Sequence, residues 1–181
     1  MLKGKTALVT GSTSGIGLGI ARAFAEQGAD VLLNGFGNAD EIEFTRAELQ
    51  RRYGVKVRYS GADMSRPEQV RAMAELARAE FGRVDIVVNN AGIQHVAPIE
   101  DFDEAKWNAV LAINLSSAFH LIKAVVPGMK AQRFGRIVNV EALLKADIPD
   151  RPGGTRGLEP DGLADLPLFT SLFPPETEAR V

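Results

Sequence analysis

Lys5-Thr6-Ala7-Leu8-Val9-Thr10-Gly11-Ser12-Thr13-Ser14-Gly15-Ile16-Gly17-Leu18-Gly19-Ile20-Ala21 is the stretch that decides the fold. It reads as a short apolar strand over 5–10, a glycine-rich turn, and a helix over 16–27. The apolar residues Ile16, Ile20, Ala23 and Phe24 recur at helical spacing, and Gly28 is placed to end the helix. Glycine at 11, 15 and 17 permits a tight turn and lets backbone come close to a bound group. A helix starting there points free N–H groups and the positive end of its dipole into the turn, which suits a phosphate.

The pattern repeats along the chain. Residues 30–34 (Asp-Val-Leu-Leu-Asn) predict a second strand and 40–53 a second helix with a charged outer face, stopped by Gly54. Residues 56–60 predict a third strand. Residues 66–81 predict a helix with Ser65 as N-cap and Pro67 in the first turn. Residues 84–89 form a fourth strand, continuously apolar through Ile86-Val87-Val88, as a strand covered on both faces should be. Residues 104–132 predict one long helix or two abutting ones with a kink at Pro127, and 135–140 a fifth strand. Strands alternating with helices through short connections predict an α/β, doubly wound parallel sheet, a Rossmann fold, incomplete at its C-terminal edge. Right-handed crossovers put the ligand at the carboxyl ends of the strands, where the winding reverses. There the glycine turn would lie beside Asn89-Asn90-Ala91-Gly92, which follows strand four.

Composition changes after Val140. Residues 141–181 hold six of the nine prolines, and no helical period longer than about two turns survives among them. The domain reading is therefore a cofactor-binding unit over 1–140 and an irregular Pro/Gly-rich tail over 141–181. The formal charge of −2 gives no general pull toward nucleic acid or anionic membrane. The sequence is read as holding no apolar run of about 18 residues, hence no membrane-spanning helix. The absence of cysteine and of a signal-like N-terminus points to a reducing, cytoplasmic setting. No metal-ligand spacing is present.

Together, the Thr-Gly-x-x-x-Gly-x-Gly turn, Asp63 after strand three, Asn-Asn-Ala-Gly after strand four and Asn114 in the next helix resemble the short-chain dehydrogenase/reductase family. Residues 11–21, Leu33-Asn34-Gly35-Phe36-Gly37 and Asn90-Ala91-Gly92-Ile93-Gln94-His95-Val96-Ala97-Pro98-Ile99-Glu100 are similar to bacterial D-3-hydroxybutyrate dehydrogenases. The resemblance covers about residues 1–140. It implies that Gly11, Thr13, Gly15, Ile16 and Gly17 hold a pyrophosphate and that Asp63 accepts from the adenine amino group. It implies that Asn90, Ala91 and Gly92 line the ribose and nicotinamide, that Asn114 positions a proton-relaying water, and that Gln94 touches the carboxylate of a short hydroxy acid. His95 is read as loop scaffolding and His120 as a helix-packing residue. The family is homo-oligomeric through the helices beside strands four and five. Only the first of these is legible here, and its apolar face (Val110, Ile113, Phe119, Leu121, Val125) would be left partly uncovered.

Cofactor choice follows from charge. A 2′-phosphate needs a nearby Arg or Lys, and neither 12–14 nor 34–39 contains one. Strand two also lacks the acidic end that would grip a 2′-hydroxyl. Asn34 and Phe36 stand there instead, with Phe36 placed to pack on the adenosine half, so NAD is favoured.

The sequence departs from the family after strand five. The family's catalytic serine should stand where the chain reads Glu141-Ala142-Leu143, and its Tyr-x-x-x-Lys pair near Gly154-Thr155-Arg156-Gly157-Leu158-Glu159. The only tyrosines are Tyr53 and Tyr59, Lys145 lies too close to the strand, and a threonine hydroxyl such as Thr155's is too weak an acid to stand in for a phenol. Three readings follow. One is a family 3-hydroxybutyrate dehydrogenase whose chain is truncated or frame-disrupted and inactive. The second is a non-catalytic NAD-binding or partner-binding remnant. The third is a misassigned C-terminal sequence. The first is preferred, and a related reductase acting on another small hydroxy or keto compound remains as an alternative.

Overall fold

A computed structural model describes residues 2–140, so the expectation of an irregular segment over 141–181 lies outside the described residues. Five parallel strands run in the order β3-β2-β1-β4-β5: β1 Thr6–Val9, β2 Asp30–Asn34, β3 Val57–Ser60, β4 Ile86–Asn89 and β5 Arg136–Asn139. Helices α1 (Gly15–Glu26), α2 (Ala39–Tyr53), α3 (Pro67–Phe81), α4 (Glu104–Leu111) and α5 (Ser117–Ala131) fill the crossovers. The order reverses at β1, so the cleft above the carboxyl ends of β1 and β4 is the switch point.

The central strands are apolar throughout because both of their faces are covered. The pleat sends alternate residues to opposite sides. Leu8, Leu32 and Val87 pack with Val70, Met73, Ala77, Leu121, Val125 and Met129 of α3 and α5. Ala7, Val9, Val31, Leu33, Ile86 and Val88 pack with Ala21 and Ala25 of α1 and Leu49 of α2. Pairing Leu8 with Leu32 on one side and with Val87 on the other keeps each row on its own face. A one-residue slip would exchange the two rows. At the amino ends of the strands, the fully buried Asp85 carboxylate accepts from Thr6 N–H at 3.0 Å and Arg83 Nε at 2.7 Å.

Local chemistry sets the helix ends. The Asn38 side chain accepts from the amides of Asp40 and Glu41 at 2.9 and 3.2 Å and starts α2, while Gly54 at φ 67° ends it. Ser65 does not cap α3, contrary to expectation. Arg66 is the N-cap residue and makes no side-chain cap bond, since a guanidinium offers no acceptor, while the Ser65 hydroxyl donates to Asp63. Asp103 caps α4 by accepting from Ala105 and Lys106 N–H.

The stretch 104–132 is two abutting helices joined by a π-helical turn at Ala112–Ser116, one of the two forms expected, and Pro127 lies inside α5. The Ser117 hydroxyl donates to the Ile113 carbonyl at 2.6 Å, giving a partner to a group that the wider turn shifts out of step. Two expectations for this stretch need correction. Leu121 and Val125 are buried in the core rather than on the uncovered face. The exposed apolar row is Trp107, Leu111, Leu115 and Phe119, four residues apart and so stacked on one side of the helix. The continuous stretch Glu104–Ala131 is also long and apolar enough, by length and composition, to cross a membrane, contrary to the reading that no such run exists. Leu121, Val125 and Met129 account for part of that apolarity as core packing. Most of the stretch is exposed, including the row from Trp107 to Phe119.

Candidate cofactor site

The glycine turn is held by its neighbours rather than by its own contacts. Gly11 adopts φ 62°, a left-handed conformation, and a Cβ there would stand 2.9 Å from the Ala91 Cα. Gly17, the third residue of α1, is packed so closely on the Gly11 carbonyl and the Asn90 amide that no side chain fits. Gly15 differs. It also has positive φ, 56°, but a Cβ would meet only open space. Gly15 is therefore glycine for backbone conformation, and the space beyond it is open to a ligand.

The loop after β4 clamps this turn. Asn90 Nδ2 donates to the carbonyls of Thr10 (2.9 Å) and Gly11 (3.1 Å). The Thr10 hydroxyl accepts from the amides of Asn90 (3.0 Å) and Ala91 (2.9 Å). Gly92 abuts Asn114, whose amide clasps the backbone of Ile93 from both ends: Oδ1 accepts from Ile93 N–H at 2.9 Å and Nδ2 donates to the Ile93 carbonyl at 3.0 Å. Asn114 lies in the π-helical turn, so that irregularity is what presents it to the loop. Gln94 is exposed and makes no hydrogen bond among the described residues.

On the β2–β3 side, the Thr13 hydroxyl donates to the Phe36 carbonyl at 2.9 Å and Tyr59 donates to the Gly35 carbonyl at 2.8 Å. Phe36 and Ile16 are large apolar side chains left exposed at 67% and 72%, on either side of Thr13. Asp63 Oδ1 accepts from both the hydroxyl and the amide of Ser65, at 2.7 and 2.8 Å. The Ser65 hydroxyl, then its amide, then the nearby Arg66 hold the Asp63 carboxyl below the usual carboxylate range.

The donors fit a pyrophosphate. Ser14 stands at the N-cap of α1 but makes no side-chain bond to the first turn, and that turn carries no acidic residue. The first-turn N–H groups thus have no partner within the helix and face the positive end of its dipole outward. No residue of 10–17 or 34–38 is charged. The structure joins Gly11, Asn90 and Ala91 by hydrogen bonds through Thr10, with Gly17 packed against them, Thr13 bonded to Phe36 and Gly92 beside Asn114.

Sequence reading missed Thr10, Ser12 and Asn34. All three are buried and spend their polar groups within the scaffold. The available signal was a polar residue ending a doubly covered strand, whose hydrogen bonds must be satisfied internally. Asn34 in particular is turned inward and is not offered to a ribose hydroxyl.

A glycine turn between the first strand and helix, clamped at the switch point of a doubly wound parallel sheet, is the arrangement found in dinucleotide-binding folds. The chain belongs to the short chain dehydrogenase family, which it matches over residues 5–145. It is 57% identical over 141 residues to the D-beta-hydroxybutyrate dehydrogenase of Cupriavidus necator, covering 77% of this chain and 54% of that protein. The Rhizobium meliloti enzyme of the same name is 47% identical over 136 residues, covering 75% and 53%. The chain thus spans about half the length of the curated relatives it matches. A metagenomic short-chain oxidoreductase in complex with NADP superimposes with a TM-score of 0.73 at 33% identity, covering 78% of this chain and 64% of that one. NAD+-bound xylitol dehydrogenase superimposes at 0.70 with 37% identity, covering 76% and 53%. Structural neighbours thus include binders of either cofactor.

Proposed function

We propose that residues 1–140 are the NAD-binding unit of a short-chain oxidoreductase acting on 3-hydroxybutyrate, and that the 181-residue chain by itself does not transfer hydride. The observation that carries the cofactor reading is the first turn of α1, with orphan N–H groups, no side-chain cap and open space beyond Gly15. In this reading, Gly11, Thr13, Gly15, Ile16 and Gly17 surround the pyrophosphate. Phe36 and Asp63 meet the adenosine half, and Asn90, Ala91 and Gly92 shape the ribose and nicotinamide side. The absence of any cation in 10–17 and 34–38 supports NAD over NADP. Identity to two D-beta-hydroxybutyrate dehydrogenases supports the substrate, with Gln94 beside its carboxylate.

Nicotinamide supplies the hydride acceptor when bound; this chain's residues bind and orient it. The Asn114 clasp on Ile93 holds the loop that would face the reacting carbon. The alcohol proton needs a base. The family's Tyr-x-x-x-Lys pair has no counterpart in the sequence after strand five, which supports the reading of an inactive chain.

Titration calorimetry with NAD, NADP and ADP-ribose tests the cofactor, and NADH absorbance with 3-hydroxybutyrate tests the chemistry. NAD is expected to bind more tightly than NADP, with no NADH above background. Tighter NADP binding overturns the charge argument. NADH production that persists through purification and disappears in Asn114→Ala overturns the reading of inactivity.

A further inference from the structure

We infer that Asn34 is a positioning residue that locks the pyrophosphate turn to the adenine-side turn; this rests on the cofactor reading above. Asn34 ends β2, is fully buried, and has its side chain saturated. Its Oδ1 accepts from the Gly11 amide at 3.3 Å. Its Nδ2 donates to the carbonyls of Ser60 (3.1 Å) and Ala62 (2.9 Å). Its backbone continues the junction: Asn34 N–H donates to the Ser12 hydroxyl at 3.0 Å and Ser12 N–H donates to the Asn34 carbonyl at 2.6 Å. One side chain therefore joins the glycine that turns β1 into α1 to the segment running from β3 into Asp63.

The chemistry of this position is narrow. It needs one acceptor and two donors on a neutral, short group, which is what an asparagine amide provides. Aspartate keeps the acceptor for Gly11, but its carboxylate would face the Ser60 and Ala62 carbonyls with no hydrogen to give. Protonated, it restores one donor at most. An apolar replacement leaves three backbone groups, two half-buried and one buried, without the Asn34 amide, and each loss costs stability. Asn34 touches no part of the space above Gly15, so its effect on a ligand runs through the two turns it holds. Loss of the amide frees the pyrophosphate turn and the Asp63 turn together, and the binding energy must then restore their order.

The test compares Asn34→Asp and Asn34→Ser with Val70→Ala, a fully buried apolar change on α3 that removes none of the hydrogen bonds of either turn. Affinities are measured by calorimetry well below each melting temperature, using ADP-ribose as the probe. Both Asn34 variants should bind ADP-ribose about tenfold more weakly, while Val70→Ala lowers the melting temperature and leaves affinity unchanged. Unchanged affinity in the Asn34 variants overturns the proposal. So does an equal loss in Val70→Ala, which would make the effect one of general stability. Amide hydrogen exchange provides a readout that needs no ligand. Protection at Gly11 and at residues 61–63 should fall together in the Asn34 variants, and loss at one turn alone overturns the coupling. Should wild-type chain bind no ADP-ribose, the cofactor reading fails and the exchange data still decide whether Asn34 joins the turns. If neither variant folds, the wild-type Asn34 side-chain amide is measured directly: slow exchange supports the lock and rapid exchange refutes it.

Discussion

Gly17 and Gly19 lie two residues apart in one helix, yet alanine should move them in opposite directions. At Gly17 the added Cβ meets the Gly11 carbonyl and the Asn90 amide, both held by the sheet. Overpacking a rigid site of this kind costs about 1–3 kcal/mol. The displaced Asn90 amide loses its bonds to Thr10 and Gly11, at about 1 kcal/mol each. Against this, alanine in place of glycine within a helix returns about 1 kcal/mol. The clash wins, and Gly17→Ala should destabilise the chain by about 2–4 kcal/mol. At Gly19 the Cβ meets nothing within 4 Å, so only the propensity term remains, and Gly19→Ala should stabilise by about 0.5–1 kcal/mol. Urea unfolding followed by far-ultraviolet circular dichroism gives both midpoints. The reasoning is refuted if Gly17→Ala matches or exceeds wild type, or if Gly19→Ala falls as far as Gly17→Ala.

Two further expectations concern other parts of the chain. Arg133 is the only non-glycine residue at positive φ among those described, at 55°, where it follows α5. Arg133→Gly should raise the melting temperature through about 1 kcal/mol of relieved left-handed strain, and a lower melting temperature would contradict this. Asp63 is held below the ordinary carboxylate range chiefly by the Ser65 hydroxyl. A depressed folded-state value contributes stability that is fully present above the unfolded pKa of about 3.9 and is lost as pH falls through the lower folded value. Ser65→Ala should move the Asp63 titration up toward the ordinary carboxylate range in a carbon-detected pH series, and an unmoved titration would show that the hydroxyl is not the main cause.

What was legible in the sequence was periodic or local. The apolar strands, the helices between them and the glycine turn all appear within a few residues of where they were expected, because burial on both faces leaves an unbroken apolar run. The pairing of the turn with the Asn90 loop was also legible, since the reversal of winding dictates which strand ends meet. Partners across crossovers were not. Asn34 was legible only as the residue standing where an acidic strand end would be, because its role depends on carbonyls 26 and 28 positions away. Ser65 looked like a helix cap because its spacing fits one, but α3 starts one residue later, at Pro67, which puts Arg66 at the cap position and Ser65 outside the helix. The apolar residues of 104–131 could not be sorted into core and exposed row by period alone. Within α5, Phe119 and Leu121 are two residues apart and so fall on opposite sides of the helix, with Leu121 and Val125 inward and Phe119 out.

The clamp on the glycine turn has a consequence for synthesis. Thr10 and Gly11 leave the ribosome early, but the groups that hold them, from Asn90 and Ala91, follow some 80 residues later. A nascent chain that has folded β1, β2 and β3 already owns the glycine turn and α1, yet the Thr10 and Gly11 carbonyls still point at water. They gain their partners only when β4 slots in beside β1. The clamped form of the glycine turn therefore arrives late and in one step with that insertion, instead of growing with each βα unit as it emerges. A growing polypeptide ending anywhere before residue 90 would carry the glycine turn without its clamp.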